Sequence, residues 1–219
     1  MREVERDAAG NVEFVERYDA GMRIAHWLLA VFFFLAALSG LALFHPAMAW
    51  LTNLFGGGPW TRILHPFLGL AMVIAFAYLA AHLVSENILR DYDYKWLKLG
   101  RDVFANRHDN LPEQGKYNAG QKVLYWLLVL LMLVLLLTGF LFWRPWFAQY
   151  FPIWMVRAGT LLHSAAAAVL IIIIIGHIYM AIWTVGSVRA MVQGYVTARW
   201  ARYHHARWYR DMTKEERSS

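Results

Sequence analysis

Five histidines lie inside long apolar stretches of this 219-residue chain, a setting in which ionisable side chains are rare. They are His26, His65, His82, His163 and His177. An imidazole in hydrocarbon has no water to satisfy its nitrogens, so it must face protein and find a partner there. Because the chain has no cysteine, thiolate metal sites and protein-bound iron–sulfur clusters are excluded. A redox centre held by this chain would therefore depend on histidine or methionine.

The spacing of two of these histidines indicates two sites along one helix. His163 and His177 are 14 residues apart. On a helix they return to within about 40° of the same face and are separated by about 21 Å along the axis. By depth, His65 pairs with His163 near one membrane face, and His26 pairs with His177 near the other. Each pair could bind the iron of one haem b through two neutral imidazoles, an arrangement suited to electron transfer.

Four apolar runs must position these histidines. The runs cover residues 24–44, 63–84, 123–143 and 158–185, and none contains Lys, Arg, Asp or Glu. About 20 apolar residues at 1.5 Å each cross a hydrocarbon core of roughly 30 Å. The sequence therefore predicts an all-α fold, a four-helix transmembrane bundle of the di-haem cytochrome b type. The whole chain, residues 1–219, is predicted to form a single membrane domain.

The positive charges predict how the chain crosses the membrane. Of the 21 Lys and Arg residues, 18 lie in the N-terminal segment, the loop 85–122 and the tail 186–219. Because cytoplasmic segments carry the excess of Lys and Arg, this loop and both termini are predicted to be cytoplasmic. All 15 acids lie on the same side, so the net charge of +6 does not indicate nucleic-acid binding. The basic face fits anionic lipid, a partner subunit, or a topology signal alone.

The two halves of the chain resemble each other. Residues 38–46 align with residues 137–145 at an offset of 99, and His65 falls on His163 at an offset of 98. The Gly and Pro that both segments share favour a duplication over chance similarity between apolar segments. In this repeat the two histidines of the outer pair occupy equivalent positions, whereas the two histidines of the inner pair do not.

The remaining histidines compete less well as iron ligands. His45 and His82 each lie about 100° from the helix face that carries the ligand on the same helix. His108, His204 and His205 lie in polar segments on the predicted cytoplasmic side, where exposed surface histidines are expected.

The segment before the third apolar run could bind a quinone. Residues 115–122 place Asn118 and Gln121 at the inner membrane surface, where side-chain amides could hydrogen-bond a quinone carbonyl. A quinone reduced there would take its protons from the cytoplasm. The more common role of Asn and Gly before a helix is an N-terminal turn or cap, so both interpretations stay open on the residues alone.

Six motifs together resemble one family. They are Arg23-Ile-Ala-His-Trp27, Arg62-Ile-Leu-His-Pro-Phe-Leu-Gly69, Gly115-Lys-Tyr-Asn-Ala-Gly-Gln-Lys122, Trp143-Arg-Pro-Trp-Phe-Ala-Gln-Tyr-Phe-Pro152, His177-Ile-Tyr-Met-Ala-Ile-Trp183 and Arg199-Trp-Ala-Arg-Tyr-His-His-Ala-Arg-Trp-Tyr-Arg210. From about residue 18 to residue 210, the chain resembles the membrane-anchoring gamma subunit of respiratory formate dehydrogenase, a cytochrome b. Histidine spacing alone also suits the cytochrome b anchors of hydrogenases and thiosulfate reductases. The third and sixth motifs favour formate dehydrogenase.

The resemblance implies which residues bind which cofactor. It implies an outer haem b on the pair His65 and His163, and an inner haem b on the pair His26 and His177. It also implies a site for menaquinone or ubiquinone on the cytoplasmic side. That site would be lined by the inner ligand His177 together with three residues of the loop, namely Asn118, Gly120 and Gln121.

The resemblance also implies partners and a location. The partners would be an outer iron–sulfur beta subunit and a molybdenum- or tungsten-pterin alpha subunit, in a heterotrimer that can itself trimerise. The location would be the bacterial cytoplasmic (inner) membrane. The chain would anchor the complex and pass electrons through two haems to quinone, while the alpha subunit oxidises formate. The alternatives are a cytochrome b anchor of another quinone-linked oxidoreductase and a histidine-based proton transporter without bound pigment.

Overall fold

The computed structural model of the protein describes residues 4–6, 12–99 and 111–218. The helices in this part of the chain are α1 (Ala20–Phe44), α2 (Gly58–Leu83), α3 (Asp91–Lys98), α4 (Ala119–Phe142), α5 (Ile153–Trp183), α6 (Ser187–Gln193), α7 (Ala198–His204) and α8 (Ala206–Ser218). The strands are β1 (Val4–Arg6), β2 (Val12–Glu16) and β3 (Tyr195–Thr197). Shorter 3-10 helices cover Pro46–Phe55, Ser85–Asn87 and Ala148–Tyr150.

The four long helices α1, α2, α4 and α5 are long and apolar enough to cross a membrane, in agreement with the four spans predicted from the sequence. The shortest, α4, has 24 residues. At 1.5 Å per residue it is about 36 Å long, more than the hydrocarbon core requires. Each helix begins four or five residues before its apolar run. A helix satisfies its own backbone groups in water as in lipid, so it need not start at the membrane boundary.

The described residues fall into two compact units. The membrane unit contains Ile24–Ala81 and Leu127–Met180. The polar unit contains the described residues of Met1–Arg23, His82–Trp126 and Ala181–Ser219.

The membrane unit has an apolar core to which all four long helices contribute. Its buried members are Phe33, Ala36, Met72, Leu131, Met132, Leu135, Ala166 and Leu170. Large apolar side chains such as Ile74 and Ile172 are exposed on the outside of the unit, as expected for a surface that meets lipid. A Cβ added at Gly159 of α5 would lie 2.9 Å from Leu141 Cδ1 of α4. Glycine therefore allows these two helices to approach closely.

The polar unit contains a small antiparallel sheet that the all-α prediction did not include. The strand order is β1-β2-β3, and Val15 of β2 lies opposite Val196 of β3. Both valines are buried together with Ala201 and Trp208 from the C-terminal helices. The sheet pairs segments from opposite ends of the chain, and its strands have three to five residues, too short for a clear alternation of apolar and polar residues. The fold is therefore mostly helical rather than all-α.

A buried ion pair connects α3 to the first turn of α4 in the polar unit. Lys122 Nζ lies 2.7 Å from Asp93 Oδ2, and neither side chain is more than 2% exposed. Lys122 Nζ also donates to the carbonyl oxygen of Ile88 at 3.1 Å. Asp93 Oδ2 also accepts the backbone N–H of Arg90 at 2.8 Å, which caps the start of α3. This pair holds the first turn of α4, which lies within the segment 115–122 considered above as a quinone site.

Candidate functional site

His65 of α2 and His163 of α5 face each other in the membrane unit. Their ring centroids are 6.3 Å apart and their ring planes meet at 76°. A ring nitrogen about 2.0 Å from a metal ion puts its ring centroid about 3.1 Å from that ion, so two opposite ligands have centroids about 6.3 Å apart. The observed separation fits one haem iron between the two imidazoles.

His26 of α1 and His177 of α5 form the second pair. Their ring centroids are 6.5 Å apart and their planes meet at 53°, so this pair also fits one iron between two rings. His26 Nδ1 is buried and has no hydrogen-bond partner among the described residues. The structure thus brings together both of the histidine pairs expected from the sequence, with α5 supplying one member to each. That they bind iron stays a prediction.

Each histidine of the outer pair contacts a hydroxyl group on a neighbouring helix. Ser39 Oγ of α1 lies 2.9 Å from His65 Nδ1. Thr138 Oγ1 of α4 lies 3.0 Å from His163 Nδ1. Each hydroxyl donates to a backbone carbonyl one turn earlier in its own helix, so its oxygen can accept a proton from the ring. This assigns the ring proton to Nδ1 and leaves Nε2 of each histidine as the ligand atom.

The surroundings of the outer pair repeat at the offset found in the sequence. A glycine directly follows each of the two hydroxyl residues. A Cβ added at Gly40 would lie 3.2 Å from His65 Cε1, and one added at Gly139 would lie 3.6 Å from His163 Cε1. In both halves the hydroxyl binds the ring, and the glycine lies beside it; a side chain at Gly40 would crowd His65, whereas one at Gly139 would make only an ordinary van der Waals contact with His163. The two hydroxyl residues were not among the expected site residues, although they occupy the same position in the proposed repeat.

Asn118, Gly120 and Gln121 lie at the N-terminus of α4. Asn118 Oδ1 accepts the backbone N–H of Gln121 at 2.9 Å, and Gln121 Oε1 accepts the backbone N–H of Asn118 at 3.0 Å. These reciprocal bonds form a capping box, so the interpretation of the segment as a helix cap is confirmed. Both amide oxygens are used by the backbone. The amide nitrogens are the atoms that can donate to a ligand carbonyl.

Three other histidines differ from the paired ones. His45 is exposed, and its Nδ1 accepts the backbone N–H of Ala47 at 3.1 Å, which caps the 3-10 helix Pro46–Phe55. His82 is also exposed. His108 lies outside the described residues.

The expectation that His205 is an exposed surface residue was wrong. His205 is only 4% exposed, and its Nδ1 lies 2.7 Å from the carbonyl oxygen of Gly115. Trp200 and Trp208 pack against its ring. Burial, with a smaller contribution from the positive charge of Arg17, lowers the pKa of His205 to about 3. Its main partner is 90 residues away in the sequence, which is why local polarity misled the prediction.

Comparisons with known proteins identify the family of this chain. Residues 17–194 match the prokaryotic cytochrome b561 family. The chain is 44% identical over 194 residues to the nitrate-inducible formate dehydrogenase cytochrome b556(Fdn) subunit of Escherichia coli (strain K12), with 89% of each chain covered. It is 45% identical over 195 residues to the formate dehydrogenase cytochrome b556 subunit of Haemophilus influenzae, covering 89% of this chain and 82% of that one.

A third relative gives the same result. The chain is 40% identical over 200 residues to the formate dehydrogenase cytochrome b556(fdo) subunit of Escherichia coli (strain K12), covering 91% of this chain and 94% of that one. The resemblance to formate dehydrogenase cytochrome subunits, inferred from the sequence motifs, is confirmed. The chain therefore belongs to the prokaryotic cytochrome b561 family.

Proposed function

We propose that this chain is the cytochrome b subunit of a formate dehydrogenase complex and carries electrons across the membrane to a quinone. The observation that supports this most directly is the pairing of four histidines in the membrane unit. Their ring centroids are 6.3 Å apart in one pair and 6.5 Å apart in the other, as one iron between two imidazoles requires. The family match and the formate dehydrogenase relatives agree with this function.

The four histidines hold two haems at different depths. His65 and His163 bind the outer haem b, and His26 and His177 bind the inner one. The bound haems supply one-electron chemistry at iron. The protein supplies neutral imidazoles in the correct orientation and excludes water from them with the apolar side chains around them. Because α5 carries a ligand of each haem, the two ligand positions are about 21 Å apart along one rigid element.

The quinone binds at the start of α4. The amide nitrogens of Asn118 and Gln121 donate to a quinone carbonyl while their oxygens continue to cap the helix. Gly120 lies between them, and a Cβ added there would lie 3.4 Å from the indole ring of Trp96, which therefore borders the site. The quinone, menaquinone or ubiquinone, accepts two electrons from the haems and two protons from the cytoplasm and leaves as quinol.

The orientation follows from the distribution of Lys and Arg. Both termini and the loop 85–122 lie in the cytoplasm, and the chain spans the bacterial inner membrane. The outer partners are an iron–sulfur beta subunit and a molybdenum- or tungsten-pterin alpha subunit that oxidises formate, in a heterotrimer that trimerises. Formate oxidation releases protons outside while quinone reduction consumes protons from inside. Inward electron flow through this chain therefore contributes to the proton-motive force.

A reduced-minus-oxidised absorption spectrum of the purified complex tests this function. We expect bands of a b-type cytochrome, two haems per chain, and reduction of both haems by formate when the partner subunits are present. A spectrum without haem bands would contradict the cytochrome and favour the histidine-based proton transporter. Haems that hydrogen or another donor reduces, but formate does not, would indicate the anchor of a different quinone-linked oxidoreductase.

The hydroxyl groups beside the outer pair lead to a first prediction. We expect Ser39→Ala and Thr138→Val each to weaken retention of the outer haem about tenfold, because the ring N–H loses the partner that orients it. The midpoint potential of that haem should rise, since a less basic imidazole stabilises ferric iron less. Redox titration and haem transfer to an acceptor protein measure both effects.

Thr160→Val is a matched control for Thr138→Val. Thr160 lies on α5, and its hydroxyl makes the same type of bond, to the carbonyl oxygen of Val156 at 2.9 Å. Haem retention and potential in this variant should equal those of the wild type. Equal effects in the control and in the test variants would show that the hydroxyl groups do not act through the histidines.

A further inference from the structure

The carbonyl groups of Gly115 and Lys116 are bound by two buried side chains from opposite ends of the chain. Arg17 follows strand β2, and its Nη2 donates to the carbonyl oxygen of Lys116 at 2.6 Å. His205 lies between α7 and α8, and its Nδ1 donates to the carbonyl oxygen of Gly115 at 2.7 Å. We call these two side chains and the two carbonyl groups the loop support. All of them lie within the polar unit.

Aromatic rings enclose the guanidinium group of Arg17. Its central carbon lies between 5.0 and 5.7 Å from the ring centroids of four residues: Tyr18, Tyr117, Trp200 and Trp208. Arg17 is only 5% exposed. A cation that has lost its water in this way interacts strongly with ring faces, and its planar shape limits the directions in which it can donate. The enclosure therefore holds Arg17 in the orientation that binds Lys116.

His205 is held in one protonation state. Burial, together with the nearby charge of Arg17, lowers the pKa of His205 to about 3, so the ring is neutral at cytoplasmic pH. The Nδ1 atom carries the proton that Gly115 accepts. His205 Nε2 then has a free lone pair, and it lies 3.4 Å from Arg17 Nη2. The two side chains therefore support each other as well as the segment.

The residues held in this way directly precede the capping box of α4. Tyr117, next along the chain, is buried with its ring against Arg17. Asn118 follows, and its amide oxygen accepts the backbone N–H of Gln121. Two consecutive carbonyl groups bound from one side determine the path of the backbone into this cap. The direction in which the amide nitrogens of Asn118 and Gln121 point depends on that path.

We propose that Arg17 and His205 are positioning residues for quinone reduction, which hold the amides of Asn118 and Gln121 in the orientation that binds the quinone carbonyl. This inference rests on the proposed quinone site. It gives a function to the histidine-rich tail motif, which lies outside the histidine pairs. It also explains why both ends of the chain fold onto one short segment.

Two substitutions at one position test the loop support. His205→Phe keeps a ring but has no N–H, whereas His205→Asn keeps an N–H close to the position of Nδ1. In the assembled complex, His205→Phe should raise the KM for the quinone about tenfold to a hundredfold, because a small displacement of binding groups has effects of this size. His205→Asn should restore most of the wild-type KM. The rate of haem reduction by formate should not change in either variant.

A second measurement does not depend on turnover. Amide hydrogen exchange in residues 115–122 should be faster in His205→Phe than in wild type, and close to wild type in His205→Asn. Arg17→Lys keeps the buried charge but has one donor group in place of a planar pair. Arg17→Lys should therefore also raise the KM for the quinone. If the complex with His205→Phe does not assemble, Arg17→Lys is the test variant in its place.

Other variants separate this inference from the quinone site itself. His204→Phe is the matched control, since the ring of His204 packs on Trp200 and Tyr203, and its KM should equal that of the wild type. If Asn118→Ala raises the KM for the quinone but His205→Phe and Arg17→Lys do not, the loop support has no part in positioning. If Asn118→Ala also leaves the KM unchanged, the proposed quinone site is wrong. An equal rise of the KM for the quinone in His205→Phe and His205→Asn would also contradict positioning through the N–H.

Discussion

His163→Ala should reduce the haem content from two haems per chain to one and stop electron transfer from formate to quinone. His65 would then be the only histidine left at the outer site. Its ring would face the space that the ring of His163, 6.3 Å away, had occupied. Loss of an iron ligand should reduce turnover more than loss of a hydroxyl that hydrogen-bonds a ligand. Turnover should therefore fall by at least about a hundredfold. Haem determination and formate-dependent quinone reduction measure these effects.

The inner pair gives a complementary result. His177→Ala should also leave one haem per chain, because it removes one ring of the pair that is 6.5 Å apart. Formate should still reduce the remaining haem in His177→Ala, whereas added quinol should not. In His163→Ala, by contrast, added quinol should reduce the remaining haem and formate should not. His45→Ala should keep both haems, since His45 is exposed and caps a 3-10 helix. Two haems in either ligand variant would show that the pairs are assigned wrongly.

Lys122→Met should lower the free energy of unfolding of the polar unit by about 3–5 kcal/mol, because it leaves a buried carboxylate without its partner. Asp93 is fully buried, and its Oδ1 has no hydrogen-bond partner among the described residues. The loss of Lys122 would leave the backbone N–H of Arg90 as the remaining described donor to Oδ2. Hydrogen exchange of the slowest amides in α3 and at the start of α4 measures the change.

A double variant and a surface pair serve as controls. Lys122→Met combined with Asp93→Leu should recover most of the loss, since an apolar pair has no charge to leave unpaired. About 1 kcal/mol should remain, because Asp93 also caps α3. Lys116 and Glu86 form a pair that is 18% and 33% exposed, so Lys116→Gln should cost no more than about 1 kcal/mol. If Lys122→Met and Lys116→Gln lower the free energy of unfolding by similar amounts, burial is not what makes the Lys122–Asp93 pair important.

The sequence was sufficient to predict the four long helices and which histidines lie opposite each other. Membrane helices must be apolar along their whole length, so each crossing is visible as an uninterrupted run. The spacing of 14 positions from His163 to His177 gives the separation of the two histidines by helical geometry alone. The pairs with His65 and His26 then followed from depth in the membrane. These inferences use only the length of apolar runs and the spacing of residues within them, which a single sequence contains.

Features that depend on contacts between distant segments could not be predicted. Strand β2 pairs with a strand about 180 residues later, and neither strand is long enough to be recognised alone. His205 is buried in contact with Gly115, which is 90 residues away, and with Arg17, which is 188 residues away. Polar sequence around a residue predicts exposure only on average, and here aromatic residues from both chain ends exclude the solvent. A cap before α4 was one of the two interpretations left open by the sequence, and the structure confirms it as reciprocal bonds between Asn118 and Gln121.

The use of α5 by both histidine pairs restricts how this protein can evolve. Each residue inserted or deleted between positions 163 and 177 would turn the second imidazole by about 100° relative to the first. Small changes in length in this stretch would therefore separate one of the two histidine pairs, even where the new residues are apolar and the helix remains intact. Adaptation to a thicker or thinner bilayer would have to occur at the ends of α5, outside the interval between the two ligands.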